Sequence, residues 1–113
     1  MDRNVEIGWA AGLFEGEGWI SVFNTRQRFP GWQVGIAMTD EDVIRKFAAI
    51  IGIGVVNGPY FRNGRKAIWQ WKVTKRSDVL SFLNVVLPHL GARRASRVQE
   101  CIADMVPQKP YIA

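Results

Sequence analysis

Residues 10–18 read Ala-Ala-Gly-Leu-Phe-Glu-Gly-Glu-Gly. Small and apolar residues run directly into an acidic pair spaced by glycines. On a continuing helix Glu15 and Glu17 would point about 200° apart. A helix that ends near Gly16 instead lets Glu17 leave at its tip. A carboxylate at a helix end, beside glycine backbone, suits a hard divalent cation. Upstream the helix extends back to Val5, with Gly8, Gly12 and Gly16 recurring every four residues and Ala11 beside them. Glycine costs about 1 kcal/mol per helix position relative to alanine, so three on one face imply a packing reason. A stripe without bulk allows a second helix to approach closely, as small-residue stripes do in membranes.

Working outward, Trp19 to Thr25 alternates, with Ile20 and Val22 on one side and Ser21 and Thr25 on the other, which predicts a half-buried strand. Arg26 to Gly31 contains Pro30 and Gly31 and reads as a turn. Trp32 to Met38 is a second strand, with Val34, Ile36 and Met38 facing the core and Gln33 opposite. Thr39 is expected to cap a helix whose first turn holds Asp40, Glu41 and Asp42, where anions are favoured. Its apolar face is Val43, Phe47, Ile50 and Ile51, and Gly52 and Gly54 end it. A third strand spans Val55 to Phe61, bent at Gly58-Pro59. Asn63-Gly64 marks a hairpin, and Lys66 to Val73 is the fourth strand, with Trp69, Trp71 and Val73 opposite Lys66, Gln70 and Lys72. Thr74 or Ser77 is expected to cap a helix carrying Val79, Phe82, Leu83, Val86 and Leu87, ended or kinked by Pro88. A last helix starts near Arg93 and buries Val98, Ile102 and Met105. The order is α-β-β-α-β-β-α-α, a weak duplication of an αββ unit.

A chain of 113 residues, nearly half of them apolar, predicts one domain with a real core. We place that domain over residues 1–106 and expect a loose tail over 107–113. Charge is uneven: residues 1–61 carry a net −2 and residues 62–113 a net +7, giving +5 in all. A basic half favours a polyanionic partner. With Cys101 the single cysteine and His89 the single histidine, neither a Cys-rich zinc site nor a Ser-His-Asp or Cys-His catalytic set is available. The longest uncharged apolar stretch, Phe47 to Val56, falls short of the ~20 residues that span a bilayer. The expectation is a soluble, intracellular protein with no membrane partner.

Four strands with one apolar and one polar face make a sheet covered by helices on one side. The other side carries Ser21, Thr25, Gln33, Gln70 and Lys72. Basic hairpin tips flank it, with Arg26 and Arg28 at one and Arg62 and Arg65 at the other. A polar sheet face with basic edges fits a DNA groove, where β-ribbons read base edges.

Residues 10–18 resemble the LAGLIDADG motif of homing endonucleases, and the order of elements matches that family's αββαββα core. Thr39-Asp40 opening the second helix, Ile51-Gly52-Ile53-Gly54 after it, and Phe82-Leu83 through Pro88-His89-Leu90 ahead of a basic residue extend the likeness over roughly residues 5–105. The resemblance implies an α+β fold with a four-stranded antiparallel, saddle-like sheet and helices on one face. It implies site-specific cleavage of double-stranded DNA at a long, near-palindromic site, and no small-molecule substrate. A single motif copy implies a homodimer, with Gly8, Ala11, Gly12 and Gly16 at the interface. Glu17 and the Gly16 carbonyl then become ligands of a divalent cation, normally Mg²⁺, with Asp40 organising water and Arg93 beside the phosphate as the other catalytic positions. The DNA-contacting set becomes Ser21, Thr25, Arg26, Gln27, Arg28, Gln33, Arg62, Arg65, Lys66, Gln70, Lys72 and Arg94. The chain departs from the pattern in having Glu rather than Asp at 17. It also places Trp19 and Phe23 on the DNA side of the first strand, where polar residues are more usual. Two other functions fit the same scaffold, an RNA maturase that aids intron splicing and a DNA-binding protein that does not cut. A protein-interaction domain built on the tryptophans would leave the polar sheet face and the basic half unused.

Overall fold

The computed structural model describes residues 2–23 and 31–105. Thr25, Arg26, Gln27, Arg28 and the tail from 107 onward lie outside the described residues. The elements follow as α1 (Arg3–Glu17), β1 (Gly18–Phe23), β2 (Gly31–Met38), α2 (Glu41–Ile51), β3 (Val55–Arg62), β4 (Arg65–Val73), α3 (Arg76–Val86), a 3₁₀ turn (Leu87–His89) and α4 (Ala92–Met105). All strand pairs are antiparallel, in the order β1-β2-β4-β3, and the helices pack on one face. This is the α+β architecture expected from the sequence.

Helix starts differ from expectation in two places. The cap of α2 is Asp40, not Thr39: Asp40 holds an extended backbone and its carbonyl accepts the first helical bond from the Ile44 amide at 3.2 Å. Its side chain makes no capping bond, so the carboxylate is not committed to the helix end. At α3 the boundary residue is Lys75, not Thr74 or Ser77. Its carbonyl accepts from the Val79 amide at 2.9 Å, again with no side-chain capping bond. Ser77 lies one residue inside the helix, past the position from which a hydroxyl can cap it. By contrast α1 is capped through a side chain, with the Asp2 carboxylate accepting from the Asn4 amide at 2.7 Å.

The core is an aromatic cluster at the helix–sheet boundary. Phe47 meets Trp71 edge-on at 4.8 Å and Phe14 meets Phe82 edge-on at 4.9 Å. Trp71 and Phe82 lie 5.0 Å apart and join the two pairs. Edge-to-face pairing adds roughly 0.5–1.5 kcal/mol per pair beyond area burial. The Trp71 indole N–H donates to the Ile53 carbonyl at 2.9 Å. Gly54, at φ +89, leaves the room that this ring needs, since a Cβ there would strike the indole. Val34, Ile36 and Val73 line the sheet below, and Ile44, Ile50, Val79, Leu83 and Val86 close it from the helices. In α4 the residues buried with Val98 and Met105 are Cys101 rather than Ile102, which is only partly covered. The 3.6-residue period selects 98, 101 and 105.

Burial pushes the Cys101 thiol from 9.0 up to about 12. The folded thiol therefore stays protonated after the unfolded one begins to ionise. Its contribution to stability is present below about pH 9 and is lost as pH rises toward 12. The expected outcome is that a thiol reagent at pH 8 leaves native Cys101 unmodified and labels it fully in denaturant; rapid labelling of the native chain would contradict the burial.

Candidate functional site

No loop joins α1 to β1: Glu17 is the last helical residue and Gly18 the first of the strand. Gly18 takes an extended backbone, and its amide donates to the Phe14 carbonyl. A side chain there would run into the Phe14 ring and carbonyl, so glycine permits the abrupt change from helix to sheet. Glu17 is thereby held between two rigid elements, and it is exposed.

Beneath it, Glu15 fastens this corner to α4. One carboxylate oxygen accepts from the Gly91 amide at 2.8 Å and the other meets Arg94 Nε at 3.4 Å. Arg94 Nη2 donates to the Glu15 carbonyl at 3.1 Å, and its guanidinium lies over the Phe14 ring at 5.5 Å. That carbonyl belongs to the last turn of α1, whose acceptors have no partner within the helix. The Gly16 carbonyl is another of these terminal acceptors. Glu15 therefore supports the helix end structurally, with its carboxylate directed to α4. Arg94, expected among the DNA contacts, is instead committed to this clamp, with its side chain 21% exposed.

The Glu17 carboxylate opens on a cavity of about 380 Å³ whose walls include Thr39, Asp40, Arg62 and Ile68. The cavity brings Glu17 from α1 together with Asp40 from the start of α2, 23 residues on. Its cation is Arg62, at the end of β3, which is steadied by a 3.0 Å bond from Nη2 to the Lys66 carbonyl. Arg93 does not line it. Arg93 is exposed at the start of α4 and faces a separate basic hollow with Arg94 and Arg97. The position of Arg62 was hidden in the sequence by β3, whose register shifts between Asn57 and Tyr60 and again before Arg62.

Glu17 and Asp40 offer oxygen donors only, the chemistry of a hard cation such as Mg²⁺. Among the described residues, no three His, Cys, Asp or Glu side chains come together. On the outer face of α1, a Cβ added at Gly8, Gly12 or Gly16 would meet nothing within 4 Å, so among the described residues no contact calls for glycine there. Ala11 does not belong to this stripe. It is fully buried in the core, because one helical step turns it about 100° away from Gly12.

Cross-strand register settles the open face. Ser21 stands opposite Gln33, Gln70 opposite Ala37 and Lys72 opposite Gly35. Gln33 Nε2 donates to Ser21 Oγ at 3.1 Å. Arg65 and Lys66 are exposed on the β3–β4 hairpin beside Arg62. Asn57 pairs with Gln70 and Tyr60 with Ile68, which adds two side chains to this face that the sequence reading missed. The bend at Gly58-Pro59 had masked their alternation.

This fold, helices packed on one face of a β1-β2-β4-β3 antiparallel sheet, resembles those of solved structures. The chain matches the homing endonuclease I-CvuI in complex with its target in the presence of calcium at a TM-score of 0.75, over 91% of this chain and 67% of that one, at 16% identity. It matches the archaeal intron-encoded homing endonuclease I-Vdi141I complexed with DNA at 0.62, over 97% of this chain and 89% of that one, at 13% identity. The chain has the LAGLIDADG homing-endonuclease fold. It also matches the group I intron-encoded I-CeuI complexed with DNA at 0.64 and 11% identity, where it covers 54% of that chain. No family model and no curated protein matches the sequence. Among the described residues of this LAGLIDADG fold, no helix is long and apolar enough to cross a membrane.

The clamp predicts that Glu15→Ala lowers stability by about 1–2 kcal/mol, since it strips a backbone amide and an arginine of their partner. Glu15→Gln, which retains an acceptor for Gly91, should lose less. Urea denaturation of the two variants measures this, and equal losses would rule out the Gly91 bond as a contributor.

Proposed function

We propose that the chain is a site-specific, Mg²⁺-dependent DNA endonuclease that works as a homodimer. The observation that carries this is the joint placement of Glu17. It stands at the end of a helix whose outer face is stripped of side chains, and it shares one cavity with Asp40 and Arg62. A metal site that is partial in one chain, beside a helix face shaped for close approach, is completed by a two-fold partner. The nuclease fold of the neighbours supports the same reading.

Glu17 and the Gly16 carbonyl would hold the cation, which supplies activation of a water and stabilisation of the leaving oxygen. Asp40, whose carboxylate is spared from capping α2, would accept a hydrogen bond from the attacking water and so orient it. Arg62 places positive charge beside the scissile phosphate, an electrostatic role. The exposed basic residues Arg65 and Lys66, with Lys72 on the sheet, neutralise backbone phosphates, while Ser21, Gln33 and Gln70 face base edges. Arg93, at the mouth of its own basic hollow, contacts phosphate farther along the duplex. A two-fold dimer makes the preferred site nearly palindromic.

Glu17→Gln should bind duplex DNA as the parent does and cut it at least about 100-fold more slowly, the scale seen when one charge-stabilising group is removed. Plasmid nicking in Mg²⁺ alongside a gel-shift assay tests this; undiminished cutting would remove Glu17 from the mechanism. Gly12→Leu fills the stripe without touching the core. It should yield a monomer in sedimentation and abolish double-strand cleavage, whereas a cutting dimer would place the interface elsewhere.

A further inference from the structure

Two large side chains on the open face have no part in the site above. Trp19 lies opposite Gly35 and Phe23 opposite Gly31, with Ser21 opposite Gln33 between them. A Cβ at Gly35 would strike the Trp19 ring, and one at Gly31 would strike the Phe23 ring. Each ring is therefore seated over a glycine on the neighbouring strand, on the face that the helices leave uncovered. Phe23 is 37% exposed, and Trp19 is half-buried by the sheet itself. The ladder reads aromatic, polar pair, aromatic.

Charge on the same face indicates what covers it. Lys72 is opposite Gly35, and Arg62, Arg65 and Lys66 stand on the adjoining hairpin. A polyanion is drawn here, and the apolar rings then meet its bases. In the major groove the polar edges of guanine, adenine and cytosine would lose water against a phenyl ring without gaining a partner. Thymine alone presents an apolar group, its C5-methyl. Trp19 and Phe23 are four residues apart, about 13 Å along a strand, which is about four base-pair steps at 3.4 Å each.

We infer that Trp19 and Phe23 are thymine-reading residues, each meeting the methyl of one thymine about four base pairs apart in a half-site, with the Ser21–Gln33 pair reading between them. The bond from Gln33 to Ser21 leaves the Gln33 carbonyl oxygen, its second amide hydrogen and the Ser21 hydroxyl hydrogen for base edges. This assignment rests on duplex DNA binding as proposed above. Specificity in this strand pair then comes from methyl contacts as much as from hydrogen bonds.

The test is selection of bound duplexes from a randomised library by the wild-type chain, followed by replacement of each selected thymine with 2′-deoxyuridine. Deoxyuridine keeps base pairing and removes only the methyl. Two positions per half-site should each show an affinity loss of about fourfold. In Phe23→Ser one of the two positions should become indifferent while the other keeps its dependence. Unchanged affinity for every deoxyuridine duplex, with sequence-specific binding intact, would overturn the inference and leave the endonuclease reading standing. Absence of any duplex binding would overturn both. Tight binding of uracil-containing single strands in place of duplex would overturn it in favour of base stacking on the rings.

Discussion

The grip of Glu15 on the first turn of α4 is the contact on which the functional corner depends. The Gly91 amide and the Arg94 guanidinium converge on one carboxylate, while Arg94 also takes a terminal carbonyl of α1. Residues 76 and 79 positions later in the chain thus fix the end of its first helix. Gly18 then admits no loop in which the position of Glu17 could drift. An exposed carboxylate normally samples many positions; here the backbone beneath it is pinned from the helix, the strand and α4 together.

Much of this was legible in the sequence because it rests on local periodicity. The alternation in β1, β2 and β4 placed Ser21, Gln33, Gln70 and Lys72 on one face, and the register agrees. Gly52, ending α2 at φ +80, follows a rule of residue type. What was not legible depends on long-range closure. Arg62 reaches the cavity because β3 shifts register twice, and no spacing rule encodes that. Arg94 and Arg93 are neighbours in a basic run, yet successive helical positions point about 100° apart. Arg94 turns to Glu15 while Arg93 stays exposed, at the hollow that both line.

Ala11 and Gly12 show the same division on α1. The inner side of this helix, through Ile7, Ala10, Ala11 and Phe14, belongs to the core. The outer side, through Gly8, Gly12 and Gly16, contributes nothing to the stability of the chain that carries it. Glycine costs helix stability at each of these positions, and no described residue lies within 4 Å of where a Cβ would stand. A fold of this size tolerates that because its aromatic cluster is central and independent of the stripe.

Seating Trp19 and Phe23 over Gly35 and Gly31 ties the outer surface of the sheet to its own strength. A glycine inside a strand weakens it unless a neighbouring ring covers the exposed backbone. Replacing either aromatic with a small polar residue uncovers that backbone, and replacing either glycine displaces the ring. Neither half of a pair is free to vary alone. Changes in what this face presents are therefore expected to arise as coupled substitutions across β1 and β2, the hydrogen-bonded Ser21–Gln33 pair included.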